Sequence, residues 1–129
     1  MTDRRLRLYY SDTFVLPLSH QHRFPISKYR LLRDRIEASD LLRRCELVIP
    51  PGATDEELRL VHTDRYIDAM RNGDLTELEQ RRIGFPWSPE MDERSRRSTG
   101  ATIAAANVAL EVGIAVNLAG GTHLSLIHI

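Results

Sequence analysis

A glycine pair followed by a histidine, Gly120-Gly121-Thr122-His123, is the part of the sequence best suited to chemistry. The glycines carry no side chain, so a ligand, a metal ion or another loop can approach their backbone closely. A histidine beside them can act as general acid, general base or metal ligand. The motif follows the apolar segment 114–119, and parallel sheets place their ligand sites after the carboxyl ends of buried strands. A tight turn with a hydrogen-bonded histidine is the alternative that these residues leave open.

A second candidate is the segment SHQHRFP, residues 19–25, in which His20 and His22 stand two positions apart. Both could bind a metal ion, but an extended strand would point them to opposite sides. No cysteine or carboxylate nearby completes a metal site. We therefore expect a structural loop, or a loop at the rim of a site. Trp87, in the two-proline loop GFPWSP, is either an anchor in the core or one wall of a pocket.

Several other classes of function have no motif behind them. Cys45 is the only cysteine, so no internal disulfide can form. It adjoins an apolar run that is typical of a core. The sequence contains no G-x-S-x-G elbow, Walker A loop or G-x-G-x-x-G loop. Its 18 basic and 18 acidic residues give zero formal net charge, which provides no electrostatic case for nucleic-acid or membrane partners. The first residues lack the apolar core of a secretory signal, and we expect a cytoplasmic protein.

The elements that must position these residues alternate between strand and helix. The segments 6–11, 45–50 and 114–119 are predicted as short strands, the last buried on both faces. Helices are predicted over 27–44, after capping boxes at Thr54 and Thr76, over 64–73, and from Pro89 to about Val112. The small residues of the last helix would let it lie close to a sheet. Strands separated by helices predict one α/β domain with a parallel sheet.

Four segments, taken in order, resemble one known family. They are YYSDTFVLPLSHQHRFPISKYRLLRDRI (9–36), VHTDRYIDAM (61–70), RRIGFPWSPEMDERSRRSTGATIAAANVAL (81–110) and VNLAGGTH (116–123). Together they resemble the N-terminal part of a zinc-dependent histone-deacetylase-like amidohydrolase, most of all the bacterial members related to the class IV deacetylases. The resemblance extends from about Leu6 to His123, and HRFPISKY and LAGGTH are its most specific parts.

The resemblance implies an arginase/deacetylase fold, present here as an incomplete parallel sheet flanked by helices. In the parent protein it implies one zinc ion that polarises an acetamide carbonyl and a water molecule. The implied substrate is an N-acetylated lysine or a related acylamine, which enters through a tunnel. Gly120 and Gly121 would form an active-site loop, and His123 would be the first histidine of the family's catalytic pair. The implied candidates for the tunnel rim are His22, Phe24, Phe85 and Trp87.

The sequence departs from the family directly after His123. The family's second histidine, its general base, is replaced by Leu124, which cannot accept a proton. The family's zinc ligands, an Asp-x-His pair and a further Asp, and its oxyanion-stabilising tyrosine all follow this motif. Residues 124–129 contain neither Asp nor Tyr. We therefore expect the parent to be an enzyme, whereas the chain as given should bind no zinc and have no activity.

The last six residues, LSLIHI (124–129), are expected to be foreign sequence. They are the translation of CTG TCT CTT ATA CAC ATC, which looks like the transposon mosaic end used to build sequencing libraries. Residues 1–123 are then predicted to be the N-terminal part of a deacetylase domain. Alone they should be poorly soluble, because interior strands of the parent become exposed edges. A degenerate, non-catalytic relative and a non-enzymatic α/β binding module are the alternatives.

Overall fold

A computed structural model describes residues 5–119, and in this range helices surround three short parallel strands. In chain order the elements are β1 Leu6–Tyr9, α1 Lys28–Glu37, a 3₁₀ helix Asp40–Arg43, β2 Cys45–Val48, α2 Asp55–Arg59, α3 Asp64–Asn72, α4 Glu77–Ile83, α5 Pro89–Val112 and β3 Val116–Asn117. The strand order is β2-β1-β3 with both pairings parallel. The predicted α/β class and parallel sheet are confirmed.

The central strand β1 is covered by a helix on each face. Leu8 packs with Ile36 of α1 on one face, and Tyr9 packs with Ala101 and Ala105 of α5 on the other. Successive residues of a strand point to opposite faces, so this alternation follows from the strand itself. Because the three strands are parallel, the chain leaves each of them at the same edge of the sheet, which we call the carboxyl edge.

Helix α5 approaches the chain after β2 so closely that only glycine fits at the contact. A Cβ atom on Gly100 would lie 1.9 Å from the carbonyl oxygen of Pro51, a distance that no real contact reaches. The neighbouring Ala101 is fully buried. Ala101 and Ala105 pack against Tyr9 of β1, so the prediction that small residues bring this helix close to the sheet is confirmed.

The helix starts agree with the sequence because their signals are local. Thr54 and Thr76 form capping boxes with Glu57 and Glu79, in which each threonine hydroxyl accepts from the glutamate backbone N–H. The Ser88 hydroxyl accepts from the N–H of Met91 at the start of α5. No helix within residues 5–119 is long and apolar enough to cross a membrane.

The prediction of one helix over 27–44 is wrong. The α-helix ends at Glu37, and the 3₁₀ helix begins at Asp40. Ser39 separates the two, because its backbone is extended and its hydroxyl accepts from the N–H of Leu41. Four leucines in this segment have roughly helical spacing but are exposed: Leu31, Leu32, Leu41 and Leu42.

The strand predicted over 114–119 is shorter and less buried than expected. Its paired part is Val116–Asn117, and both residues are half-buried. Within residues 5–119 this strand pairs with β1 alone, so one of its edges has no neighbouring strand there. Ile114 is largely exposed.

Candidate functional site at the carboxyl edge

Two loops contact each other through three rings, and the first of these loops continues from the turn that follows β1 at the carboxyl edge. The His22 ring stacks on Phe85 with 5.3 Å between centroids, and Phe24 meets Phe85 edge-on at 5.2 Å. The first loop precedes α1, and the second connects α4 to α5. We call His22, Phe24 and Phe85 the aromatic rim cluster. The structure thus brings together three of the four predicted rim residues.

His22 joins the two loops by hydrogen bonds as well as by stacking. Its Nδ1 accepts from the backbone N–H of Phe24 at 3.1 Å, and its Nε2 lies 3.2 Å from the carbonyl oxygen of Gly84. In the tautomer that fits both contacts, Nδ1 accepts and Nε2 donates to the Gly84 carbonyl. Both nitrogens are therefore engaged, which leaves neither free to bind a metal ion.

Trp87 belongs to the second loop and connects it to helix α3. Its indole N–H donates to the carbonyl oxygen of Met70 at 2.6 Å. The ring lies against Gly73, where a Cβ atom would be 2.9 Å from Cζ3 of the indole. The side-chain amide of Gln80 also donates to the carbonyl of Phe85. Trp87 thus anchors the loop on the core. Among residues 5–119, the ring contacts of the aromatic rim cluster do not include Trp87.

A four-residue turn, Ser11–Phe14, follows β1 at the carboxyl edge and is bound by Arg94 of α5. The N–H of Phe14 donates to the carbonyl of Ser11 at 3.1 Å. One nitrogen of Arg94, Nη1, donates to the carbonyls of both Ser11 and Phe14 at 3.0 Å. Arg94 is only 9% exposed, and burial lowers its pKa. No carboxylate within residues 5–119 forms an ion pair with it.

Two further arginines bind the same turn. Arg33 of α1 donates through Nε to both carboxylate oxygens of Asp12, at 2.9 and 3.0 Å. The Asp12 side chain is 5% exposed, and its hydrogen bond raises the pKa of Arg33. The guanidinium of Arg97 lies 4.5 Å from the ring centroid of Phe14. Helices α1 and α5 therefore hold the turn from two directions.

The same stretch of α5 also binds the chain after β2 and β3. Arg97 donates to the carbonyl of Pro50 at 2.9 Å, and Arg96 donates to the carbonyl of Ala53 at 3.2 Å. The hydroxyl of Ser98 donates to the carbonyl of Ala119 at 2.9 Å. One helical segment thus supplies donors to the backbone beyond the ends of all three strands. Irregular backbone needs such partners, because its carbonyls have no ladder of their own.

The predicted active-site loop and the predicted catalytic histidine lie outside the described residues. These are the loop glycines Gly120 and Gly121, together with His123 and the substituted position Leu124. The last described residue before them, Ala119, is 3% exposed, and its N–H donates to the side chain of Asn117 at 3.0 Å. Within residues 5–119, no group of three His, Cys, Asp or Glu side chains is arranged to hold a metal ion.

Sequence reasoning missed the role of the charged run in α5. By composition the run ERSRR (93–97) is simply the charged half of the helix, whereas Arg94 within it is buried. A signal was present: Met91, Arg94, Ala101 and Ala105 recur at helical spacing on one face. An arginine on an otherwise apolar face indicates a buried acceptor for its donors.

Comparison with known proteins agrees with the fold. The sequence model of the histone deacetylase domain matches residues 22–125. An uncharacterized protein of Picosynechococcus sp. is 42% identical over 115 residues, covering 88% of this chain and 38% of that protein. The acetoin utilization protein AcuC of Bacillus subtilis is 31% identical over 125 residues, covering 88% and 32%. Histone deacetylase 2 of Arabidopsis thaliana is 25% identical over 126 residues, covering 87% and 30%. The chain spans between 30% and 38% of the length of these relatives.

Proposed function

The chain belongs to the histone deacetylase domain family, and on that premise we propose that residues 1–123 are the N-terminal part of a zinc-dependent deacetylase. The observation that carries the proposal is the match of the family over residues 22–125. The reaction is hydrolysis of an N-acetylated lysine or a related acylamine. Water adds to the acetyl carbonyl, the carbon–nitrogen bond breaks, and acetate and the free amine leave. The proposed compartment is the cytoplasm.

The proposed site has an entrance and a reacting end. The aromatic rim cluster presents ring faces suited to the aliphatic part of an acyl-lysine side chain. At the reacting end, Gly120 and Gly121 let the substrate approach the backbone, and His123 holds the attacking water by a hydrogen bond. The bound zinc ion would polarise the acetyl carbonyl. The described residues offer no ligand set for it, and the family resemblance is what assigns its ligands to residues that follow His123 in the natural protein.

An independent DNA read beyond codon 123 tests the proposed continuation. We expect a histidine codon at position 124 and an Asp-x-His motif further on, and we call the product of that reading frame the full-length protein. A stop codon directly after Ile129, or unrelated sequence, would contradict the proposal. Such a result would favour a degenerate relative or a non-enzymatic binding module.

Measurements of zinc content and turnover test whether the activity requires residues of the full-length protein that this chain lacks. The full-length protein is expected to bind one zinc ion and to release acetate from a fluorogenic acetyl-lysine peptide. The 129-residue chain as given is expected to do neither at this site. Stoichiometric zinc together with turnover in the 129-residue chain would show that zinc binding and activity do not require the residues that follow His123 in the full-length protein.

A further inference from the structure

The loop that carries His22 and Phe24 has two ends, and Arg94 contacts both. At the first end, its Nη1 donates to the carbonyls of Ser11 and Phe14 in the turn after β1. At the second end, its guanidinium lies 4.9 Å from the ring centroid of Tyr29, in the first turn of α1. We call residues 15–28 the entrance loop. It has regular structure only where α1 begins, so its place depends on contacts with the rest of the chain: those at its ends, the burial of Leu16 in the core and the hydrogen bonds of His22.

A packing role alone does not account for an arginine at this place. Burying a guanidinium is costly, and burial lowers the pKa of Arg94. An apolar side chain of similar length would fill the same volume without that cost, but it could not donate to two carbonyls. The turn therefore uses the donors of Arg94, and Arg33 restrains the same turn through Asp12.

The aromatic contacts connect this support to the rim. Phe24 lies 6.2 Å from Tyr29, centroid to centroid, and its edge meets the ring of Phe85. A shift of Tyr29 or of the turn would thus displace Phe24 and His22 relative to the second loop. The contacts of Arg94 go to the ends of the entrance loop and not to the rim cluster itself.

We infer that Arg94 is a positioning residue for substrate binding, which fixes both ends of the entrance loop and thereby the aromatic rim cluster. The inference rests on the proposed deacetylase function of this site. It adds a residue from α5, outside the glycine–histidine motif, to the groups that determine how an acyl-lysine substrate is received.

Steady-state kinetics of the full-length protein separate positioning from simple loss of folded protein. With an acetyl-lysine peptide, Arg94→Met is expected to raise KM about tenfold while kcat changes less than about threefold, because the entrance loop is misplaced. Arg94→Lys keeps the charge and one donor group, so its KM should lie between those of the wild type and Arg94→Met. The control is Arg30→Met, which removes an exposed ion pair on α1 and should leave both constants unchanged.

Loss of folded protein would give a different pattern, in which kcat falls and KM stays constant. That pattern in both Arg94 variants, or unchanged constants in both, overturns the inference. Should Arg94→Met fail to fold, Arg94→Lys still decides, because an increase in its KM is required.

Hydrogen–deuterium exchange provides a readout that does not depend on turnover. In Arg94→Met the hydrogen-bonded amides of the turn and the entrance loop, those of Phe14, His22, Phe24 and Ile26, are expected to exchange at least about tenfold faster than in the wild type, whereas those of β1 stay protected. Unchanged exchange in the entrance loop overturns the inference, whatever the activity. If the folded wild type has no deacetylase activity, the proposed function fails, and the exchange experiment still decides whether Arg94 holds the loop.

Discussion

The two halves of helix α5 contact the rest of the chain in different ways. The first half donates hydrogen bonds through Arg94, Arg96, Arg97 and Ser98 to backbone carbonyls beyond the strands. The second half packs small apolar side chains, Ala101 among them, against Tyr9 of the central strand. Carbonyls of regular strands are already paired within the sheet, whereas those of the following loops need other donors. One helix therefore uses hydrogen bonds where the backbone is irregular and close packing where it is regular.

The junction between the halves, Gly100, should be the position least tolerant of change. Gly100→Ala would place a Cβ atom 1.9 Å from the Pro51 carbonyl oxygen, and the backbone must move to relieve the clash. We expect the free energy of unfolding to fall by about 3 kcal/mol or more, measured by urea denaturation of the full-length protein. Gly113→Ala is the control, because its surroundings are open and only its φ of +97° is unfavourable; about 1 kcal/mol is expected. Equal losses would show that the close approach is absent.

In the packed half of α5, a larger side chain on the buried face should lower the free energy of unfolding. Ala101 is 0% exposed beneath the sheet, so Ala101→Leu is expected to lower the free energy of unfolding by about 2 kcal/mol. Ala106 lies on the exposed face of the same helix, and Ala106→Leu should change stability by less than about 0.5 kcal/mol. Urea denaturation of both variants checks the difference, and similar values for the two would contradict this assignment of faces.

The stability that the hydrogen-bonding half contributes should depend on pH, because Arg96 pairs with the carboxylate of Asp55 in α2. Hydrogen bonds from Arg71 and then Arg96 lower the pKa of Asp55 below its ordinary value of 3.8. A lowered carboxyl pKa stabilises the fold above the unfolded-state value, and this contribution is lost as pH falls through the folded-state pKa. Asp55→Asn should therefore cost about 1 kcal/mol at pH 7 and progressively less below about pH 4.

Urea denaturation of wild type and Asp55→Asn across pH 3 to 7 measures this effect. Ala101→Leu, in the packed half, serves as the comparison, since its cost should not vary with pH in that range. A constant difference between the wild type and Asp55→Asn would mean that the pair contributes no pH-dependent stability.

An effect no larger than that of Asp55→Asn is expected at Ser98, whose hydroxyl donates to the carbonyl of Ala119, two residues after β3. Ser98→Ala removes one hydrogen bond and should lower the free energy of unfolding by about 1 kcal/mol. Ser95, one turn away on α5, is the matched control, and Ser95→Ala is expected to be close to neutral. Equal stability of the two variants, measured by thermal unfolding, would contradict a role for Ser98 in holding the end of β3.

Local signals explain how much of the fold could be predicted. Thr54, Thr76 and Ser88 begin helices because their hydroxyls accept from N–H groups only three residues away. Spacing predicted less well at Leu31 and Leu41, because periodicity identifies apolar side chains without showing whether a surface covers them. Ser39 ended the first helix early through a side-chain hydrogen bond that competed with the apolar pattern.

In the candidate site, too, some residues could be predicted from the sequence and others could not. His22, Phe24 and Phe85 were predicted as rim residues from the family resemblance, and the fold brings their rings into contact. Arg94 could not be predicted as a loop anchor, since its acceptors lie about 80 residues earlier in the chain. The roles of Gly120, Gly121 and His123 remain predictions.

Hydrolysis of an acetyl-lysine peptide by the full-length protein and its His123→Ala variant tests the central claim most directly. That claim is that the carboxyl edge of this sheet carries a deacetylase site. At equal concentrations of folded protein, we predict that the wild type releases acetate and that kcat/KM of the variant is at least about 100-fold lower. A folded wild type without turnover, or a variant as active as the wild type, would contradict the claim.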